Sequence, residues 1–116
     1  MATGSLPARV TVVEVGPRDG LQNEAVPLRV EDRLAFCDAL IAAGLPVVEV
    51  GAFVSPKWVP QMAGSGELLG RLGKRPGVRL PVLVPNRRGF EEARALMKWE
   101  GSKGALRLLQ RELAGS

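Results

Sequence analysis

The segment Val12-Val13-Glu14-Val15-Gly16 decides the fold, because the same five letters, VVEVG, recur at residues 47–51, 35 positions later. A third apolar run follows at residues 80–84 after a similar interval. Short runs rich in β-branched residues are typical of buried strands. The regular spacing leaves room for one helix after each run, so the pattern predicts repeated strand–helix units.

The segments between these runs have helical periodicity. The first carries an apolar stripe at i, i+4, i+7, i+10 and i+11, followed by Gly44 as a stop signal. Its members are Val30, Leu34, Cys37, Leu40 and Ile41. Weaker helical patterns cover residues 66–72 and 88–99. The predicted order is therefore βαβαβα, which indicates an α/β protein with a parallel sheet.

Parallel strands joined by helices form either an open doubly wound sheet or a closed (β/α)₈ barrel. The first strand is not followed by a G-x-G-x-x-G phosphate turn, which favours the barrel. A whole barrel takes about 200 to 250 residues, whereas this chain has 116. We therefore predict the N-terminal portion, about three βα units, of a truncated TIM (β/α)₈ barrel over residues 6–95. Residues 96–116 are expected to be a divergent, basic and helical tail.

Composition narrows the class of protein. The sequence is 46% hydrophobic but has no run of about 18 apolar residues, so no membrane span is expected. Its single cysteine excludes an intrachain disulfide. The first five residues carry neither an apolar signal core nor an arginine-rich presequence. We expect a cytoplasmic location, with the mitochondrial matrix as the alternative.

The charge is unevenly spread along the chain. Residues 1–58 contain five Lys or Arg against seven Asp or Glu, while residues 59–116 contain eleven against five. A basic half is typical of a solvated face, a site for a phosphate-bearing ligand or a nucleic-acid surface. Only 4% of the residues are aromatic, so the stacking side chains of single-strand binders are scarce. We favour the solvated face and expect no nucleic acid.

Polar side chains cluster directly after the first strand. Residues 16–24, GPRDGLQNE, present Arg18, Asp19 and Gln22 where the active sites of parallel barrels lie. Glu14 and Glu49 sit third in otherwise apolar runs, so each needs a partner or a wet interior. The alternatives are that Arg18 and Asp19 are a simple turn pair and that Gln22 is a solvated loop residue. The cluster predicts the edge of an active site.

Three motifs in the same order resemble the 3-hydroxy-3-methylglutaryl-CoA lyase family. They are GPRDGLQNE at residues 16–24, FVSPKWVPQM at 53–62, and PVLVPN at 81–86 with GFE at 89–91. The resemblance implies a metal-dependent TIM-barrel lyase that forms acetoacetate and acetyl-CoA in leucine breakdown and ketone-body formation. Related metal-dependent aldol or Claisen barrels share the arginine–aspartate start and remain an alternative. A second alternative is a truncated, non-catalytic fragment of the lyase.

The resemblance also assigns expected roles. Arg18 is implied to be catalytic and to bind substrate, Glu49 to be catalytic, Gln22 to bind substrate and Asp19 to ligate a divalent metal, Mg²⁺ or Mn²⁺. The implied partner is an acyl-CoA thioester, and full-length members of the family can form homo-oligomers. For Lys57, contact with an acidic substrate and exposure to solvent alone are equally expected.

Several family features are missing from this sequence. The family's metal site uses two histidines and an asparagine from later strands, and a mobile loop contributes a cysteine, but this sequence contains no histidine. Cys37 lies on the apolar stripe and is expected in the core. Ala52 occupies a position where a serine is common in the family, which argues against a side-chain hydroxyl contact there. Asn86 is a candidate polar contact. We therefore expect an incomplete metal site and an isolated chain that is poorly stable and catalytically silent.

Overall fold

A computed structural model describes residues 5–96. The elements follow in the order β1 (Val13–Glu14), α1 (Val30–Ala42), β2 (Val47–Val48), β3 (Gly51–Ala52), α2 (Ser65–Leu72), β4 (Val82–Leu83) and α3 (Arg87–Leu96). The predicted alternation of strands and helices is confirmed, although the second apolar run is divided between β2 and β3. The end of the third predicted helix, 97–99, and the predicted tail helix lie outside the described residues.

All strand pairs are parallel. Val13 of β1 lies opposite Val47 of β2, and Gly51 of β3 lies opposite Val82 of β4. A single bridge from Val47 to Arg79 links the start of β2 to the chain that leads into β4. Residues 47–52, which contain β2 and β3, thus form a central strand between β1 on one side and residues 79–83 on the other.

The central strand contains a one-residue bulge. Val47 lies opposite Arg79, whereas Gly51 lies opposite Val82, so four steps on the central strand match only three on its neighbour. An extra residue in one strand bends it and changes the face on which the following side chains lie. The pairing places the extra residue between Val47 and Gly51, in the segment that contains Glu49.

The backbone hydrogen bonds locate the bulge independently. The N–H groups of Val48 and Val50 donate to the carbonyls of Arg79 and Pro81, both at 3.0 Å. The next carbonyl in this series, that of Leu83, accepts instead from Phe53 at 2.9 Å. Together with the strand pairing, these hydrogen bonds place the bulge at Val50–Gly51, and the N–H of Ala52 donates outside the ladder, to Oγ of Ser65.

The core lies between the helices and one face of the strands. Alternate strand residues point to this face, where they meet apolar residues of α1, α2 and α3. The core consists of Cys37, Val48, Val50, Phe53, Leu68, Leu69, Leu72, Val82, Val84, Phe90 and Ala93. Cys37 is fully buried, which confirms its predicted core position.

The first strand is less covered than the others. Val12, Val13 and Val15 are 53%, 48% and 37% exposed. Among the described strands β1 pairs only with β2, and an apolar parallel strand with an uncovered face and an unpaired edge is unusual. Within residues 5–96, none of the helices is long and apolar enough to cross a membrane.

Candidate active site

A tight turn positions the arginine of the first motif. Directly after β1, the carbonyl of Val15 accepts hydrogen bonds from the N–H groups of Arg18, Asp19 and Gly20 at 3.1, 2.7 and 3.3 Å. Pro17 is buried at the start of this turn, where a residue without an N–H and with a fixed φ is well tolerated. The result is a compact π-helical turn, Gly16–Gly20, that holds Arg18 close to the strand end.

Arg18 and Glu49 meet across the gap between two strands. Nε of Arg18 donates to Oε1 of Glu49, and the two side chains are only 19% and 18% exposed. The N–H of Glu49 donates to the carbonyl of Glu14 at 2.9 Å, which fixes the two strands relative to each other. The structure therefore brings together the two residues that the sequence predicts as catalytic.

Glu14 has a local structural partner. Its Oε1 accepts a hydrogen bond from the N–H of Gly16 at 3.1 Å. A Cβ placed on Gly16 would lie 2.8 Å from this oxygen and 3.2 Å from the ring of Phe36. Glu14 thus has the polar partner that its place in an apolar run required, and it stabilises the beginning of the turn that carries Arg18.

Asp19 and Gln22 carry side-chain oxygens and lie close to Arg18 in the sequence. The Asp19 side chain is 57% exposed, and its Oδ1 lies 3.5 Å from Nη1 of Arg18. The backbone carbonyl of Asp19 accepts from Nδ2 of Asn23 at 2.8 Å. Oε1 of Gln22 is buried and has no hydrogen-bond partner in the described part of the chain. An unpaired buried acceptor is costly, so this atom is suited to a ligand that donates a hydrogen bond.

The described residues do not complete a metal site. No group of three His, Cys, Asp or Glu side chains within residues 5–96 is placed to hold a metal ion. Asp19 is an exposed carboxylate of the type that Mg²⁺ and Mn²⁺ prefer, but it stands alone and next to the positive charge of Arg18. The residues present therefore fit one ligand of such a site and not the whole of it.

The second motif packs against the first. Nε2 of Gln61 donates to the backbone carbonyl of Glu24 at 2.8 Å, which links the loops that follow the first two strand runs. The ammonium of Lys57 lies 5.8 Å from the ring centroid of Trp58, whose side chain is 79% exposed. Asn86, a predicted polar contact, uses its Oδ1 to accept from the N–H of Gly89 at 2.8 Å and so caps α3.

The structure reveals a buried arginine that the sequence reasoning missed. Arg33 is 1% exposed, and in the described part of the chain no carboxylate lies within ion-pair distance of it. Nη1 donates to the carbonyl of Ala63 at 2.5 Å, and Nη2 donates to Oγ of Ser65 at 3.0 Å. Its position three residues after Val30 and four before Cys37 places it on the apolar face of α1, which is the signal that could have identified it.

Burial changes the acid–base properties of two groups on α1. Removal from water lowers the pKa of the Arg33 guanidinium from its usual value. Burial also raises the pKa of the Cys37 thiol from its usual 9.0 to about 11. Because the thiolate is the reactive form of cysteine, Cys37 is unsuited to act as a nucleophile or base near neutral pH.

Comparison with known proteins identifies relatives. The chain is 58% identical over 89 residues to the 3-hydroxy-3-isohexenylglutaryl-CoA/hydroxymethylglutaryl-CoA lyase of Pseudomonas aeruginosa, covering 77% of this chain and 30% of that protein. It is 56% identical over 90 residues to the mitochondrial hydroxymethylglutaryl-CoA lyase of Rattus norvegicus, covering 78% of this chain and 28% of the relative. No protein-family model matches the chain.

The solved structures that resemble this chain are also HMG-CoA lyases. The crystal structure of hydroxymethylglutaryl-CoA lyase from Pseudomonas aeruginosa superposes with a TM-score of 0.75 at 57% identity, over 78% of this chain and 30% of that one. An HMG-CoA lyase from Acinetobacter baumannii, solved with coenzyme A and 3-methylmalate, gives a TM-score of 0.70 at 30% identity, over 74% of this chain and 28% of that one. The resemblance predicted from the three motifs is confirmed, and the chain spans under a third of the length of these relatives.

Proposed function

We infer that this chain, a homologue of the hydroxymethylglutaryl-CoA lyases, supplies part of the active site of an enzyme that cleaves 3-hydroxy-3-methylglutaryl-CoA to acetoacetate and acetyl-CoA. The observation that carries this proposal is the Arg18–Glu49 pair, which joins the ends of β1 and β2. Active-site residues of parallel α/β folds lie at the carboxyl ends of strands. The pair stands at this edge, and Arg18 lies within the first of the three motifs that resemble the lyase family.

The reaction explains the need for an arginine. A proton leaves the tertiary hydroxyl of the substrate, the neighbouring carbon–carbon bond breaks, and the hydroxyl carbon becomes the ketone of acetoacetate. The electron pair of that bond passes to the thioester as an enolate, which takes up a proton to become acetyl-CoA. Negative charge therefore develops on substrate oxygens, and a permanently charged guanidinium stabilises it in a partly buried site.

Glu49 and Arg18 have complementary roles in this proposal. Glu49 accepts from Nε and so fixes the plane of the guanidinium, while Nη2 of Arg18 has no protein partner within residues 5–96. This leaves donors of Arg18 for a substrate oxygen. Gln22, with its buried and unpaired Oε1, is assigned to bind the acyl-CoA thioester.

A divalent metal, Mg²⁺ or Mn²⁺, would supply additional stabilisation of developing negative charge when bound. We assign Asp19 as one of its oxygen ligands, because its carboxylate is 57% exposed and follows Arg18 directly. The described residues do not supply the remaining ligands, so no step of the reaction is derived through the metal.

The wider assignments rest on the same homology. We propose that residues 6–95 correspond to about three βα units of a TIM (β/α)₈ barrel and that residues 96–116 form a divergent basic tail. The mammalian relatives are named as mitochondrial, which keeps the matrix as an alternative to the cytoplasm. Assembly of full-length subunits into a homo-oligomer is part of the same proposal.

A chimeric enzyme tests the proposal. The matching 89 residues of the Pseudomonas aeruginosa lyase would be replaced by the corresponding residues of this chain, and acetoacetate release would be measured with 3-hydroxy-3-methylglutaryl-CoA and Mg²⁺. We expect turnover close to that of the parent lyase. Arg18→Met should lower kcat by about 10² to 10³-fold, because it removes a donor to a developing oxyanion.

The matched control in the chimera is Arg71→Met. Arg71 is 45% exposed, and its only ion-pair partner within residues 5–96 is the exposed Glu31, across α1 and α2, so kcat should not change. A chimera that folds, as judged by circular dichroism and gel filtration, yet produces no acetoacetate would overturn the proposal. Equal loss of kcat in Arg18→Met and Arg71→Met would also overturn it.

The second candidate function is that of a non-catalytic fragment that pairs with a larger subunit. The exposed valines of β1 and the incomplete set of metal ligands in the described part of the chain favour this alternative. It predicts that the purified chain with added Mg²⁺ releases no acetoacetate. Measurable turnover by the purified chain alone would exclude it.

A further inference from the structure

Ser65 uses all of its hydrogen-bonding capacity around the bulge. Its Oγ donates to the carbonyl of Met62 at 2.7 Å, and it accepts from the N–H of Ala52 at 3.2 Å and from Nη2 of Arg33 at 3.0 Å. A serine hydroxyl has one donor and two acceptor positions. The Ala52 N–H that leaves the strand ladder is therefore satisfied by a side chain that Arg33 holds in place.

The strand backbone lies against this pair without room for a side chain. A Cβ placed on Gly51 would lie 2.5 Å from Oγ of Ser65 and 3.2 Å from Nη2 of Arg33. Gly51 therefore points toward the helices, as the core residues Val50 and Phe53 do. By alternation, Ala52 lies on the opposite face of the strand, which is the face of Glu49.

The turn that carries Arg18 is connected to the same place. Residues Gly16–Gly20 contact both β3 and α1. The path from Arg33 to Arg18 thus runs through hydrogen bonds to Ser65 and Ala52 and then through the close approach of β3 to the turn. Burying a guanidinium without a carboxylate partner is costly, and a purely apolar residue would pack at this position of α1 without that cost.

We propose that Arg33 is a positioning residue that holds the bulge at Val50–Gly51 through Ser65 and thereby sets the geometry in which Glu49 meets Arg18. The hydrogen bond from the Ala52 N–H to Oγ of Ser65 replaces the ladder bond that the bulge removes, and Arg33 holds that oxygen by donating to it from Nη2. Its consequence for catalysis rests on the function proposed above, whereas its effect on the Arg18–Glu49 hydrogen bond does not.

The test uses the whole ¹⁵N-labelled chain and NMR. Two signals are followed: hydrogen exchange of the Ala52 amide, and the side-chain Nε–H resonance of Arg18. In Arg33→Met and in Ser65→Ala we expect the Ala52 amide to exchange about tenfold faster, since a hydrogen bond of ordinary strength is lost. The Arg18 Nε–H resonance should shift and exchange faster in the same variants. Arg33→Lys, which keeps one buried donor, should restore part of both effects.

The matched control is Arg75→Met. Arg75 also bridges to α1, through Asp38 at 2.8 Å, but it does not contact Ser65, so neither NMR signal should change. If Arg33→Met fails to fold, the smaller Ser65→Ala truncation provides the same two readings.

Two results would overturn the inference. The first is an unchanged Ala52 amide in a folded Ser65→Ala or Arg33→Met variant. The second is a freed Ala52 amide with an unaltered Arg18 Nε–H resonance, which would make Arg33 a packing residue only. No substrate is used in these measurements, so failure of the chimeric enzyme to turn over would leave this result intact, and the reverse also holds.

Discussion

Nε of Arg18 donates a hydrogen bond to Oε1 of Glu49, a residue 31 positions further along the chain. Both side chains are about four-fifths buried, so their interaction is less screened than that of surface ion pairs. The pair connects the turn after β1 to the strand run that contains β2 and β3. It is the contact on which the proposed chemistry depends, and it also ties the first βα unit to the second.

Removal of the charge on Glu49 should destabilise the chain. Glu49→Gln keeps the shape of the side chain but leaves the Arg18 guanidinium partly desolvated without a counter-ion. We expect the free energy of unfolding, measured by urea denaturation, to fall by about 1 kcal/mol. The matched control is Glu31→Gln, since Glu31 is 59% exposed and pairs with Arg71; its effect should stay within about 0.5 kcal/mol. Equal losses in the two variants would contradict the partly buried character of the pair.

Two glycines should respond to alanine in opposite directions. Gly51→Ala places a Cβ 2.5 Å from Oγ of Ser65, and overpacking of this kind costs about 1 to 3 kcal/mol. Gly70 lies inside α2 with nothing within 4 Å of its Cβ position, so Gly70→Ala should stabilise by about 0.5 to 1 kcal/mol. Urea denaturation of the two variants measures both changes. A neutral Gly51→Ala variant would show that the strand is not pressed against Ser65.

The buried thiol makes stability depend on alkaline pH. The pKa of Cys37 is raised by burial to about 11 in the folded chain, so the unfolded chain loses the thiol proton first as the pH rises. The contribution of the neutral thiol is therefore fully present below the unfolded pKa of about 9 and is lost as the pH rises toward 11. We expect a loss on the order of 2 kcal/mol between pH 8 and pH 11.

The control for this pH dependence is Cys37→Ala. This variant should be less stable at pH 8, because a buried sulfur is removed from the core, but it should lack the part of the alkaline decline that belongs to the thiol. Urea denaturation of both proteins from pH 8 to pH 11 gives the comparison. Parallel curves for the two proteins would show that Cys37 titrates normally.

Asp19 should bind a divalent cation weakly. A single exposed carboxylate next to the charge of Arg18 lacks the several oxygen ligands that Mg²⁺ or Mn²⁺ requires. Titration of the ¹⁵N-labelled chain with Mn²⁺ should broaden the amide signals near Gly20 without saturating, and Asp19→Asn should abolish the broadening. The control Asp32→Asn changes a similarly exposed carboxylate on α1 and should leave it intact. Tight, stoichiometric Mn²⁺ binding would contradict an incomplete metal site.

The local pattern of the sequence was sufficient to predict the strands and helices. The repeated VVEVG run and the stripe through Val30 and Cys37 predicted parallel strands and the first helix, since both rest on periodicities of the backbone itself. The density of polar residues after the first run likewise located Arg18, Asp19 and Gln22 at a strand end. A carboxylate in an apolar strand requires a partner, which marked both Glu14 and Glu49, but only the resemblance to the lyase family selected Glu49.

What the sequence by itself determined was therefore the order of the elements, the resemblance to the lyases and the identity of the polar residues at the strand ends. Only the tertiary structure decided that Glu49 pairs with Arg18, that a bulge follows Glu49, and that Arg33 is buried against Ser65. These contacts join residues about 30 positions apart. Periodicity reports which face a residue lies on, but the partner it meets there depends on how strands and helices from distant segments pack.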